Sequence, residues 1–152
     1  MRKYQLPNFL AGVIEQAKYD RWLQRKAAAQ VKRDRERGNR TATIADYKVA
    51  IHGAVIESNG FDSYTKEMLD WSLISKWNNE EARNRGRQHK REFYSLPTVD
   101  HVGDGLGRPE FKICAMLIND VKSDLTHQEL LALCEKLLRA AGRYPGATDV
   151  LK

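Results

Sequence analysis

The stretch SLPTVDHVGDGLGRPEFKICAMLINDVKSDLTHQEL, residues 95–130, sets the tightest limit on the fold. LPTVDHV is rich in strand-forming residues, and EFKICAMLI alternates and then runs apolar. Between them GDGLGRP places three glycines and a proline, so the pattern predicts a β-hairpin with a generous loop over about residues 96–118. An Asp-His pair, Asp100 and His101, closes the first strand, and Asn119 follows the second. Antiparallel pairing sets the end of the first strand beside the loop. Asn119 therefore comes near Asp100 and His101 only if the strands splay or the next helix folds across them. Farther on, Thr126 and Glu129 have capping-box spacing and open a helix whose apolar stripe is Leu130, Leu133, Cys134, Leu137, Leu138 and Ala141.

The rest of the chain reads as mostly helical. Phe9, Leu10, Val13, Ile14 and Ala17 begin a helical segment over residues 8–37, which Gly38 and Asn39 end. Thr43, with Asp46 three residues on, starts a second helix, along which Ile44, Tyr47, Ile51 and Val55 recur until Asn59 and Gly60 stop it. His52 lies in that helix and reads as an ordinary packing or surface histidine. FDSYTKEMLDWSLISKW mixes a turn with a short apolar run of strand character, NNEEARNRGRQHKREFY reads as a short helix and loop, and PGATDVLK as a loose tail after a stop at Gly142. The expected class is α+β, with a basic helical region over residues 1–60 and a hairpin-based core over residues 61–152.

A chain of 152 residues with 30% charged side chains has room for one core of modest size. No apolar run approaches the roughly 18 residues that span a bilayer, and the basic N-terminus is not followed by the apolar region of a secretory signal, so a cytoplasmic protein is expected. Cys114 and Cys134 each sit in an apolar periodic segment and are expected to be buried thiols, with neither a disulfide framework nor a structural zinc site. The net charge of +6 is concentrated at one end. Residues 1–40 hold eleven Lys or Arg against four acids, a net +7, so residues 41–152 sum to −1. The excess reads as an N-terminal arm suited to a polyanion, since each neutralised phosphate releases counterions. A solvated helix face gives the same pattern.

On these residues the sequence resembles the HNH endonucleases, the ββα-metal family. In that family a strand carries an Asp-His or His-His pair, a loop and second strand follow, and a short helix across the hairpin delivers an Asn or His to the same metal ion. VDHV matches the first element and NDVKSDL the helical one, over roughly residues 61–141, with YTKEMLDW similar to the segment that precedes the hairpin. The resemblance implies that Asp100 and Asn119 bind one divalent cation and that His101 is the general base. It departs from many members of the family in lacking the paired zinc-binding cysteines. It also leaves His127 as an alternative second ligand, with Asn119 preferred because Thr126 caps a separate helix.

The chemistry agrees with that assignment. An imidazole with an ordinary pKa near ~6.5 accepts a proton from water at neutral pH, and two protein oxygens suit a hard cation such as Mg²⁺, with Mn²⁺ or Ni²⁺ compatible. Arg21, Arg25, Lys26, Lys32, Arg33, Arg83, Arg87, Lys90 and Lys122 are the candidates to hold a nucleic-acid backbone. The expected activity is metal-dependent cleavage of DNA, most simply double-stranded, with 5′-phosphate and 3′-hydroxyl ends by analogy with the family; a homodimer is compatible. A non-catalytic nucleic-acid-binding protein that keeps the hairpin as scaffold is the alternative. A third reading docks the basic arm on an acidic protein and leaves Asp100, His101 and Asn119 idle.

Overall fold

The computed structural model describes residues 2–144. They divide after Asn119 into two compact units. The chain is α+β, with six α-helices and one antiparallel hairpin among the described residues.

In the first unit, a single 3-10 turn (Asn8–Leu10) precedes helix α1 (Gln16–Glu36). The continuous helix expected over residues 8–37 is thus interrupted. Gly12 takes a positive φ of 77°, and the helix proper starts after Glu15, whose backbone is extended. α1 is not an appendage. It buries Tyr19, Trp22, Leu23, Ala27 and Val31, so the helix that carries the basic charge is also a wall of the core. Helix α2 (Ile44–Ser58) follows, capped by the Thr43 hydroxyl, which accepts from the Asp46 N–H, and closed by Asn59 in the left-handed region at φ 50°. The run at residues 71–75 is a 3-10 helix (Trp71–Ser75), not a strand: the Asp70 carboxylate caps it by accepting from Ser72 N. Residues 79–92 form two short helices, α3 (Asn79–Arg85) and α4 (Arg87–Glu92), hinged at Gly86, which has φ 53°.

Strands β1 (Pro97–Val102) and β2 (Glu110–Ala115) form the hairpin. Their register is unbroken from Pro97↔Ala115 to Val102↔Glu110. One apolar core links the hairpin to the helices, from Leu10 through Trp22, Ile51 and Trp71 to Val99, Ile113 and Met116. Helix α5 (Met116–Lys122) begins directly after β2, its start fixed by Met116 N donating to Leu96 O at 2.9 Å. It therefore opens three residues before Asn119, which lies inside it.

In the second unit, Thr126 and Glu129 form the expected capping box at the start of α6 (His127–Ala140). Gly142, at φ 67°, ends it. Of the anticipated stripe, Leu130 is buried, whereas Leu133, Leu137 and Leu138 are exposed. Cys114 is the buried thiol expected, but Cys134 is exposed. The anticipated tail at residues 145–152 lies outside the described residues. No described helix is long and apolar enough to cross a membrane.

Candidate functional site

Because side chains alternate along a strand, an unbroken register sends Asp100 and His101 to opposite faces of β1. The bulge or frayed end that would let the two meet one phosphate does not occur.

On the His101 face, β1 packs beside α1. Gln30 Nε2 reaches Val99 O at 3.4 Å, and one turn later the buried Asp34 places Oδ2 2.9 Å from His101 Nε2. The same oxygen accepts from the hydroxyl of Tyr47 on α2. Burial, and then Asp34, push that hydroxyl well above the ordinary tyrosine range, so it stays a donor. Arg37 NH1 stands 3.6 Å from Asp34 Oδ1, and Phe111 meets the imidazole edge-on with ring centroids 5.3 Å apart. The hairpin loop closes over the carboxylate at Gly105. A Cβ there would fall 2.4 Å from Asp34 Oδ1, and φ is 79°, so both space and backbone call for glycine. Asn39 Nδ2 ties down the loop through Gly105 O at 2.7 Å.

A carboxylate can only accept, so the network assigns the His101 proton to Nε2 and leaves Nδ1 as the basic nitrogen. Nδ1 is covered by protein and has no hydrogen-bond partner among the described residues. This geometry fixes the orientation and tautomer of the imidazole. It also keeps the basic nitrogen away from water.

On the other face, Tyr64 donates its hydroxyl to Asp100 Oδ2. Desolvation first, and Asp100 second, raise the Tyr64 pKa far enough to keep it protonated. The loop that carries Tyr64 is fixed by buried Asp62, which accepts from Tyr64 N at 2.7 Å and Thr65 N at 2.9 Å, and from Ala115 N at 2.7 Å. Asn119 is half-buried, and its side chain makes no hydrogen bond among the described residues. α5 starts at the Pro97 end of the hairpin, three residues or about 10 Å of strand from Asp100. With no splay in the strands, only a helix folding back along β1 would bring Asn119 to Asp100. No hydrogen bond joins Asn119 to Asp100 or His101. Among the described residues, no group of three or more His, Cys, Asp or Glu side chains is placed to hold a metal ion.

Of the basic candidates, Arg21, Arg25, Lys32 and Arg33 are exposed on α1, and Lys26 is half-buried. Desolvation lowers the Lys26 pKa, with Arg25 and Arg33 adding to the effect. Arg83 on α3 and Arg87 and Lys90 on α4 are exposed. Lys122 and His127 belong to the second unit, where Lys122 is buried and His127 is the first residue of α6.

The sequence reading missed Asp34, hidden in the charge run KRDRERG. The one available signal was helical register. Asp34 stands three residues after Val31 and seven after Ala27, on the buried side of α1. No family model, curated protein or solved structure matches the chain.

Proposed function

We propose that the chain is a metal-dependent endonuclease that hydrolyses DNA phosphodiester bonds, with His101 as general base. The observation that carries this reading is the buried Asp34 carboxylate 2.9 Å from His101 Nε2. A strand-end histidine that serves only local packing has no need of a fully buried acid from another element. A base that must accept a proton does, because the carboxylate stabilises the imidazolium that forms. Asp34 is accordingly a positioning residue, and Nδ1 of His101 is the atom that takes the proton from water.

Asp100 and Asn119 would hold the divalent cation; because Asp100 and His101 leave opposite faces of β1, the metal and the base would reach one phosphate only with a rearrangement of the strand end on substrate binding. A carboxylate and a carboxamide are oxygen donors of the kind Mg²⁺ prefers, and the Asn119 carboxamide has no competing hydrogen bond among the described residues. Such an ion, when bound, supplies charge neutralisation at the phosphoryl oxygens. Proton abstraction also requires that substrate binding uncover Nδ1, in line with catalytic contacts that tighten only in the working complex.

The covered Nδ1 favours a second reading, a non-catalytic nucleic-acid-binding protein in which Asp34, His101 and Tyr47 serve only to join α1, α2 and β1. Incubation with supercoiled plasmid in Mg²⁺ or Mn²⁺, with EDTA as control, separates the two. The nuclease reading expects nicking that EDTA stops and His101→Ala abolishes, with DNA affinity held within a few-fold. A wild-type chain that binds plasmid but never nicks it is the second protein.

A further inference from the structure

A groove of about 520 Å³ runs between α1 and the 3-10 helix Trp71–Ser75, at a distance from the Asp34–His101 pair along α1. Its α1 side carries Lys18, Arg21 and Arg25, and its other side Ile74 and Trp77. The spacing of the cations, three and four residues, sets them on one helix face. None of them forms an ion pair among the described residues. Asp20, the acid of the groove, is already engaged, accepting from Gln16 Nε2 at 2.8 Å and lying 3.8 Å from Arg2. The cations are therefore uncompensated.

Trp77 is the unusual member. Its Nε1–H donates to Asn79 Oδ1 at 2.8 Å, and its ring is wedged by His89, with centroids 4.7 Å apart, and by Phe93 at 5.2 Å. The indole is thus fixed in place yet only half-buried, and the part left open looks into the cationic groove. Trp22 and Trp71 are both buried. A rigid aromatic surface beside unpaired cations suits a ligand with a flat π-face and a phosphate on each side. In a duplex the base faces are stacked on one another and out of reach, whereas a single strand presents them.

We infer that this groove binds an unpaired nucleotide of a single strand, its base stacked on Trp77 and its flanking phosphates on Lys18, Arg21 and Arg25. The inference rests on the proposed function for its nucleic acid but not for its chemistry. It makes the substrate a single strand, or a duplex with an unpaired segment, in place of plain duplex.

The test is done in EDTA, so that cleavage plays no part. A fluorescent twelve-residue oligothymidylate and its duplex with oligoadenylate are titrated with wild type, Trp77→Ala, Trp77→Phe and the double variant Arg21→Gln/Arg25→Gln. Trp77→Ala should weaken single-strand binding about ten-fold, the scale of one lost base–aromatic stack, and leave duplex binding within about two-fold; Trp77→Phe should restore most of the loss. The charge variant should weaken both. Trp77 also packs on Phe93, so a second readout avoids dependence on the alanine variant. Oligothymidylate should quench the intrinsic fluorescence of wild type, and Trp77→Phe should remove the quench while binding persists. Equal loss for single strand and duplex in Trp77→Ala, or an unchanged quench in Trp77→Phe, overturns the inference and leaves the nuclease reading standing. Trp77-dependent binding by a chain that never cleaves DNA has the opposite meaning.

Discussion

Replacing Asp34 by alanine tests whether the network around His101 is built as described. Asp34 is fully buried and satisfies two donors, the buried Tyr47 Oη–H and the part-buried His101 Nε2–H, with Arg37 nearby. The substitution removes a charge that was costly to bury, which offsets part of the loss, but it strands both donors. Each stranded donor costs about 1–3 kcal/mol, and breaking a buried charged network typically costs about 3–5 kcal/mol in total. For a chain of this size each kcal/mol shifts the melting temperature by about 2–4 °C, so Asp34→Ala should melt roughly 10–15 °C below wild type. Tyr47→Phe removes one donor and leaves the acid paired with His101, for a loss of about 1.5–3 kcal/mol. The double variant should then be more stable than the sum of the singles by about 1 kcal/mol or more, because Asp34→Ala no longer strands a hydroxyl. Thermal melts and urea titrations followed by circular dichroism give all four corners of the cycle. An Asp34→Ala protein that melts within about 3 °C of wild type, or a cycle that closes additively, would refute the network.

Three more outcomes are expected. Asn119→Ala should lose cleavage supported by Mg²⁺ while keeping its fold and DNA affinity, as read by plasmid nicking beside a melt; undiminished nicking removes Asn119 from the metal site. Neutralising Arg21, Arg25 and Lys32 together with glutamine leaves the core of α1 intact, unlike a truncation, and should flatten the plot of log affinity against log salt by about 2.7 for duplex DNA, or about 0.9 per lost phosphate contact. An unchanged slope would mean that this face meets no phosphate. Burial holds His52, whose Nδ1 lies 2.6 Å from the Tyr19 hydroxyl, below the ordinary histidine pKa. The unfolded chain therefore binds the proton first, and stability is full above pH ~6.5 and falls as the pH drops below it. Between pH 7.5 and 5.5 wild type should lose more melting temperature than His52→Gln, and equal losses would exclude His52 as the cause.

What was legible in the sequence was local. Thr126 with Glu129, Thr43 with Asp46 and Asn59-Gly60 each act within one helical turn, and the structure uses each where the residue types place it. The hairpin was legible because its glycines and proline leave few other courses for the chain. What escaped depends on distant partners. Asp34 has the same neighbours in sequence as a solvated acid, and its burial comes from Tyr47 and from a strand far along the chain. The run WSLIS has the composition of a strand, but its Asp70 cap turns it into a 3-10 helix, and the hairpin beside it pairs only β1 with β2. Cys134 lies on a well-formed apolar stripe that the structure leaves exposed, a reminder that amphipathic spacing defines a face and not its burial. The apolar run AMLI reads as the end of a strand and so puts the start of the next helix at Asn119, whereas backbone bonds from Met116 to Leu96 and from Leu117 to Tyr94 start the helix earlier.

The contacts that join α1 to the hairpin also order events in time. Gln30 to Val99, Asp34 to His101 and Asn39 to Gly105 span separations of 69, 67 and 66 residues, so all three close nearly the same long loop. The entropy of that closure is lost once, and the three bonds should form in a single step, after the local pairing of α1 with α2 and as the hairpin docks. During synthesis, then, Asp34 emerges early and waits without its histidine until the hairpin has left the ribosome. The nascent chain presents its cationic helix long before His101 is oriented. On the proposed nuclease reading, the capacity to hold nucleic acid should therefore precede the capacity to cleave it, and a chain stalled before β1 would bind without reacting.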